Sequence, residues 1–126
     1  MKSWAILAGL LLTSCHSAPL IQKRFDAPRE KLVSAIRSEL PNVKQEGDVF
    51  ETYWHADPAV AASWKRGGSV LASESRFRVT VLAEYVNVEA RSRVFVWRGA
   101  RRKDWEEVDP APAAARLLER IEARLK

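Results

Sequence analysis

Three groups of residues in this 126-residue chain are of types and spacings that could do chemistry. Cys15 is the only cysteine, and it closes the run Leu11-Leu12-Thr13-Ser14-Cys15 behind an apolar stretch, a place where a buried structural thiol would not sit. His55 and Asp57 pair an imidazole with a carboxylate, which suits a metal or a base with its orienting acid. The only other histidine is His16, however, so two residues at a strand end do not complete a site. Glu106 and Glu107 are sequence neighbours in a charged segment, not a facing acid–base pair. Hydrolase, zinc-protease and phosphate-loop signatures are missing from the sequence, and no catalytic residue, metal or cofactor is expected. The third group is basic. Arg98, Arg101, Arg102 and Lys103 cluster beside Trp97 and Trp105, and Arg76, Arg78, Arg91 and Arg93 alternate along two strand-like runs. A guanidinium fork chelates phosphate or carboxylate, so Arg76, Arg78, Arg98, Arg101, Arg102, Lys103 and Trp105 form a candidate binding patch. The same arginines, with Glu84 and Glu89 nearby, also read as an ordinary solvated surface.

Around Cys15 the order is basic Met1-Lys2, apolar Trp4 to Leu12, small residues, then the cysteine, which is the order of a secretory signal peptide. The apolar part is shorter than the ~20 residues that span a bilayer. Leu12-Thr13-Ser14-Cys15 resembles the lipobox of bacterial lipoproteins. That resemblance implies cleavage before Cys15, a diacylglyceryl group on its sulfur, and an acylated new N-terminus. It divides the chain into a signal peptide (1–14), a lipidated cysteine with its tether (15–23) and one domain (24–126). His16 after the cysteine, in place of the aspartate that retains Gram-negative lipoproteins in the inner membrane, resembles the outer-membrane class. Processing removes Lys2 and no acid, so the net charge falls from +5 to +4. With no disulfide available, packing must stabilise the domain. An exported domain is not expected to meet nucleic acid, whatever its basicity.

The elements follow from periodicity. Leu32, Val33, Ile36 and Leu40 recur at helical spacing behind Pro28, and Pro41 ends that helix. Val43-Lys44-Gln45 reads as a short strand. From Val49, alternation places Phe50, Thr52 and Trp54 on one strand face and Glu51, Tyr53 and His55 on the other. Phe50, Trp54 and Phe77 are expected in the core, while Tyr53, Trp64, Trp97 and Trp105 either form a docking patch or pack loops against helix ends. A short helix is predicted from Pro58 to Arg66, stopped by Gly67-Gly68. Arg76 to Glu84 and Val86 to Val96 alternate as a hairpin turning near Glu84-Tyr85. Arg98 to Val108 reads as a charged loop. Asp109 with Pro110 or Pro112 starts a last helix along Ala114, Leu117, Leu118, Ile121 and Leu125. The predicted fold is α+β, a two-layer sandwich. An antiparallel sheet of three to four strands carries the N- and C-terminal helices on one face.

Arg24-Phe25-Asp26-Ala27-Pro28 before an Ile/Leu helix, the strand Phe50-Glu51-Thr52-Tyr53-Trp54, the arginine-flanked Arg76-Phe77-Arg78-Val79-Thr80-Val81, and the closing Leu117-Leu118-Glu119-Arg120-Ile121 helix share a pattern. Together they resemble the helix-grip-like domain of BamC-type envelope lipoproteins, found in the outer-membrane β-barrel assembly machinery. Those proteins carry two such domains and a long N-terminal segment, where this chain has one domain and a short tether. The resemblance implies a non-enzymatic lipoprotein, anchored through Cys15, facing the periplasm and docking on an envelope protein. A binder of anionic envelope ligands such as lipopolysaccharide is the alternative, and a tethered hydrolase is a third.

Overall fold

Two long β-branched runs that alternate inward and outward residues pair to make the spine of the molecule. The computed structural model describes residues 20–126, so Cys15 and the predicted signal peptide lie outside the described residues. Strands β5 (Ser69–Leu82) and β6 (Tyr85–Gly99) form an antiparallel hairpin closed by Ala83-Glu84, with Ala83 at φ 55. The hairpin is longer than the predicted one and turns one residue earlier. Phe77, Val79 and Val81 on β5, and Val86, Val88, Ala90, Val94 and Val96 on β6, are buried on one face. Every other strand attaches to this hairpin directly, or in the case of one through its neighbour. Strand β1 (Leu20–Arg24) and strand β7 (Arg102–Val108) both pair with the outer edge of β6. Strands β3 (Val49–Glu51) and β4 (His55–Ala56) pair with the outer edge of β5, and β2 (Lys44–Glu46) pairs with β3.

The α+β class therefore stands, but the sheet has seven strands, not three to four. The three additions have separate causes. β1 recruits Leu20 to Lys23, read as tether, because Ile21 packs half-buried against the core while Leu20 and Gln22 stay exposed. β4 resumes the pairing that β3 leaves. β7 replaces the charged loop: its charges mask an alternation of Lys103, Trp105 and Glu107 on one face with Asp104, Glu106 and Val108 on the other. Its connection to β6 is the two-residue turn Ala100-Arg101, both at positive φ (48 and 68), behind a bulge that leaves Arg98 outside the ladder. Positive φ at both central positions suits the twist of a hairpin, although Ala-Arg carries no glycine signal for it.

Helices α1 (Arg29–Glu39) and α3 (Ala111–Leu125) lie on the apolar face, as predicted. Leu32, Ile36, Leu117 and Ile121 are fully enclosed with Phe50, Val79, Val86 and Val88. Glu39 at the end of α1 faces an unfavourable helix dipole, which Arg120 and Arg124 offset from successive turns of α3. Arg120 Nε donates to Oε1 at 2.9 Å, and Arg124 grips Oε2. Burial raises the Glu39 carboxyl pKa, but these bonds and charges outweigh it and hold the group below its ordinary value.

Helix α2 (Pro58–Ala62) is shorter than predicted. Ser63 closes it early, because its N–H and hydroxyl both donate to the Val60 carbonyl, at 3.2 and 2.9 Å. Gly68 has a role the sequence did not suggest: at φ +98 it lies where a Cβ would meet Val96 Cγ1 at 2.6 Å. α2 covers a second small cluster of Val60, Val94 and Val96. Ser73, Ser75 and Ser92 separate that cluster from the main core along the same face.

Two expectations follow. Ile121→Asp, which puts a carboxylate in the helix–sheet seam, costs at least about 4 kcal/mol and abolishes cooperative thermal unfolding; native-like melting would count against the two-layer packing. Glu39→Gln removes a depressed carboxylate whose contribution is present above the unfolded value of about 4.3 and lost as pH falls through the folded one. The variant is therefore weaker than the parent by about 1 kcal/mol at pH 7, discounted for its half-exposed arginines. Urea titrations across pH should find that gap closing on acidification.

Candidate docking surface

The face of the sheet without helices is built by a one-residue irregularity. Between the pairs Glu51↔Arg78 and His55↔Ser75, the first chain advances four residues while β5 advances three. An odd residue in a period-two strand exchanges the faces of everything beyond it. Thr52 stabilises the break: its N–H donates to the Phe77 carbonyl, and its hydroxyl accepts from the Phe77 N–H, both at 3.0 Å. His55 consequently turns to the helix side, with its ring 5.6 Å from Phe77, and Trp54 turns to the opposite side. The expectation of Trp54 in the core with Phe50 and Phe77 is thus corrected.

On that outer side Trp54 meets arginines from both hairpin strands. The Arg93 guanidinium lies 4.0 Å from the Trp54 ring and 3.9 Å from the Trp105 ring, a cation held between two indoles. Glu74 fixes it from β5, accepting from Nε at 3.0 Å and Nη2 at 2.7 Å. Arg91 and Arg76 approach the Trp54 ring at 5.5 and 5.8 Å. Glu107 takes both Nε and Nη2 of Arg91, a fork-to-fork pair whose hydrogen bonding raises the pKa of an already strong base. Phe95 extends the row, tilted against Trp105 at 5.0 Å. Such stacks contribute about 0.5–2 kcal/mol each, more than the exposed ion pairs around them.

The residues of the predicted patch divide within this frame. Arg76 and Trp105 belong to the stacked row. Arg78 is on the same face but bridges Glu51 and Glu89, at 3.3 and 4.0 Å. Arg98, expelled by the bulge, pairs with Glu106, which also binds Arg66, and so leaves the patch. Arg101, Arg102 and Lys103 sit at the β6–β7 tip with no ion-pair partner among the described residues. Sequence reasoning missed Trp54 and Arg93 as the centre of the row. A hydroxyl that can replace a ladder carbonyl, at Thr52, is the one local signal for the break.

On the helix side, Asp57 and His55 keep separate company. Asp57 Oδ2 accepts from Ser75 Oγ at 2.7 Å and from Arg116 at 3.4 Å, and Ser75 Oγ lies 2.8 Å from Ser92 Oγ. His55 Nδ1 instead lies 3.1 Å from the Tyr53 carbonyl. The buried hydroxyls are thereby engaged in joining α2, α3 and the hairpin. Among the described residues no group of three His, Cys, Asp or Glu is placed to hold a metal. An open cleft between α2 and the start of α3, with Val60, Trp64, Val108 and Pro112 beside Ser63, Lys65, Arg66 and Asp109, has a volume of about 270 Å³, below the size of drug-like pockets. Comparison with known proteins finds no matching family model, no matching curated protein and no matching solved structure.

Arg93→Ala, which empties the space between the two indoles, is expected to lower stability by about 1–2 kcal/mol and to shift tryptophan emission. Arg93→Lys, retaining charge without the planar fork, should recover only part of that loss. An unchanged urea midpoint for Arg93→Ala would show that the row is unsupported by this stack.

Proposed function

We propose that this chain is a lipid-anchored, non-catalytic docking module of the bacterial envelope, a single-domain relative of the BamC-type lipoproteins. In this reading Cys15 is acylated and holds the protein at the outer membrane, facing the periplasm, while the helix-free sheet face receives an envelope protein. The observation that carries the docking role is the preorganised outer row, Trp54–Arg93–Trp105 with Phe95. It gives an exposed face fixed aromatic and guanidinium geometry before any partner arrives. Aromatic and arginine side chains of this kind are the usual anchors of protein interfaces. Further support is that Ser75, Ser92, Asp57 and His55 are engaged in hydrogen bonds within the fold. Among the described residues no helix is long and apolar enough to cross a membrane. Two or three acyl chains, at about 0.8 kcal/mol per buried methylene, would suffice to hold the domain there.

The anchor is tested by intact-mass analysis of the full precursor expressed in a Gram-negative host, with detergent-phase partitioning of the same material. The expected product lacks residues 1–14, carries acyl mass on residue 15 and enters the detergent phase. Cys15→Ser should stay unmodified and aqueous. An unmodified cysteine in the parent would overturn the assignment.

A further inference from the structure

We propose that the β6–β7 hairpin tip is a second membrane contact, a basic and aromatic foot resting on the anionic phosphates of a lipid headgroup layer. The orientation argued here rests on the lipid-anchor reading, whereas the chemistry of the tip does not.

Charge is the first observation. Along the outer sheet face Arg78 is neutralised by Glu51 and Glu89, Arg91 by Glu107 and Arg93 by Glu74, while Arg76 lies over the Trp54 ring at 5.8 Å. Arg24 at the opposite end of the sheet holds Glu84 at 3.0 Å. At the tip, Arg101 in the turn and Arg102 and Lys103 at the start of β7 have only Asp104 beside them, a local net charge of +2. Unspent positive charge on a narrow projecting hairpin is complementary to a phosphate surface. Burial is the second observation. Trp97 and Trp105 flank the turn and remain 44% and 40% exposed. An indole has an apolar body and one polar N–H, which favours the boundary between headgroups and acyl chains.

Geometry is the third. β1 and β7 lie end to end on the same edge of β6, with Leu20 opposite Glu89 and Val108 opposite Ser92. β1 therefore begins, at Leu20, in the middle of that edge and beside the end of β7. Five residues from Cys15 to Leu20 reach at most about 18 Å. The tip lies about 33 Å along β6 from the start of β1, at ~3.3 Å per residue. An anchor that short holds the β1–β7 edge toward the bilayer, and an edge-on domain sets its basic tip against the headgroups.

The experiment uses the full chain carrying Cys15→Ser, so that no acyl group contributes and the leader is common to every protein compared. Co-sedimentation is measured with vesicles of phosphatidylcholine alone and of phosphatidylcholine mixed with phosphatidylglycerol. The parent should bind the anionic vesicles more tightly, and salt should weaken that preference. Arg101→Gln/Arg102→Gln/Lys103→Gln should lose affinity for them on the order of a hundredfold, from about fivefold per basic residue, with unchanged melting and unchanged behaviour on neutral vesicles. Lys31→Gln/Arg37→Gln/Lys44→Gln removes equal charge from α1 and β2 and should bind as the parent does. Parent-like binding by the tip variant, equal loss in the two variants, or no preference for anionic vesicles would overturn the proposal. An acylated Cys15 does not rescue a failed tip, and a non-acylated one does not sink a successful tip.

Discussion

The register of the β5–β6 hairpin is the constraint on which the rest of the molecule depends. Thirteen residue pairs join these strands, and the two-residue turn at Ala83-Glu84 sets their alignment. Because side chains alternate with period two, that alignment commits Phe77, Val79, Val81, Val86 and Val88 to one face and the arginines to the other. A slip of one residue would turn one strand over against the other and put Arg76 and Arg78, or Arg91 and Arg93, beneath the helices. Neither helix has polar groups at the seam to receive them, so the alternative register is strongly disfavoured. The short strands β1, β3, β4 and β7 then add to edges that the hairpin has already oriented.

The two faces solve different problems with the same backbone. The helix side has an apolar core, interrupted once by serines whose hydroxyls reach Asp57 and one another, which lets the small cluster under α2 sit apart from the main core. The outer side is charged, yet its order comes from stacking and paired carboxylates. Arg93 is half enclosed by two indoles and Glu74, so its long side chain gives up its rotamer freedom in the folded state and not on meeting a partner. A surface ordered in advance loses less entropy on binding. The tip differs in kind, because its basic residues have no acid to hold them and remain available to an external anion.

Much of this could be read from the chain. Period-3.6 patterns located α1 and α3, including Leu32, Ile36, Leu117 and Ile121 as their buried lines. Period-two patterns located the hairpin and its inward valines. The misreadings share one origin, since each depends on a partner distant in sequence. Trp54 was assigned to the core by continuing the alternation from Phe50, but pairing with β5 inserts an odd residue there. The segment after Arg98 looked like a loop because its alternation joins charges to a tryptophan, and only β6 supplies the opposing Arg93, Phe95 and Trp97. Leu20 to Lys23 reads as tether because four residues contain too little pattern to specify a strand without the edge they join.

By itself the sequence determined which side chains are apolar, at what period they recur, where proline and glycine interrupt them, and that one cysteine follows an apolar stretch. These are local properties, set by covalent chemistry and the spacing of neighbours. Only the tertiary structure decided the sheet order, the break at Thr52, the seat of Arg93 between two indoles, and which basic residues remain without a counter-charge. Those outcomes depend on which strands meet and in what register, a choice made by the summed burial and hydrogen bonding of the whole chain that no single stretch contains.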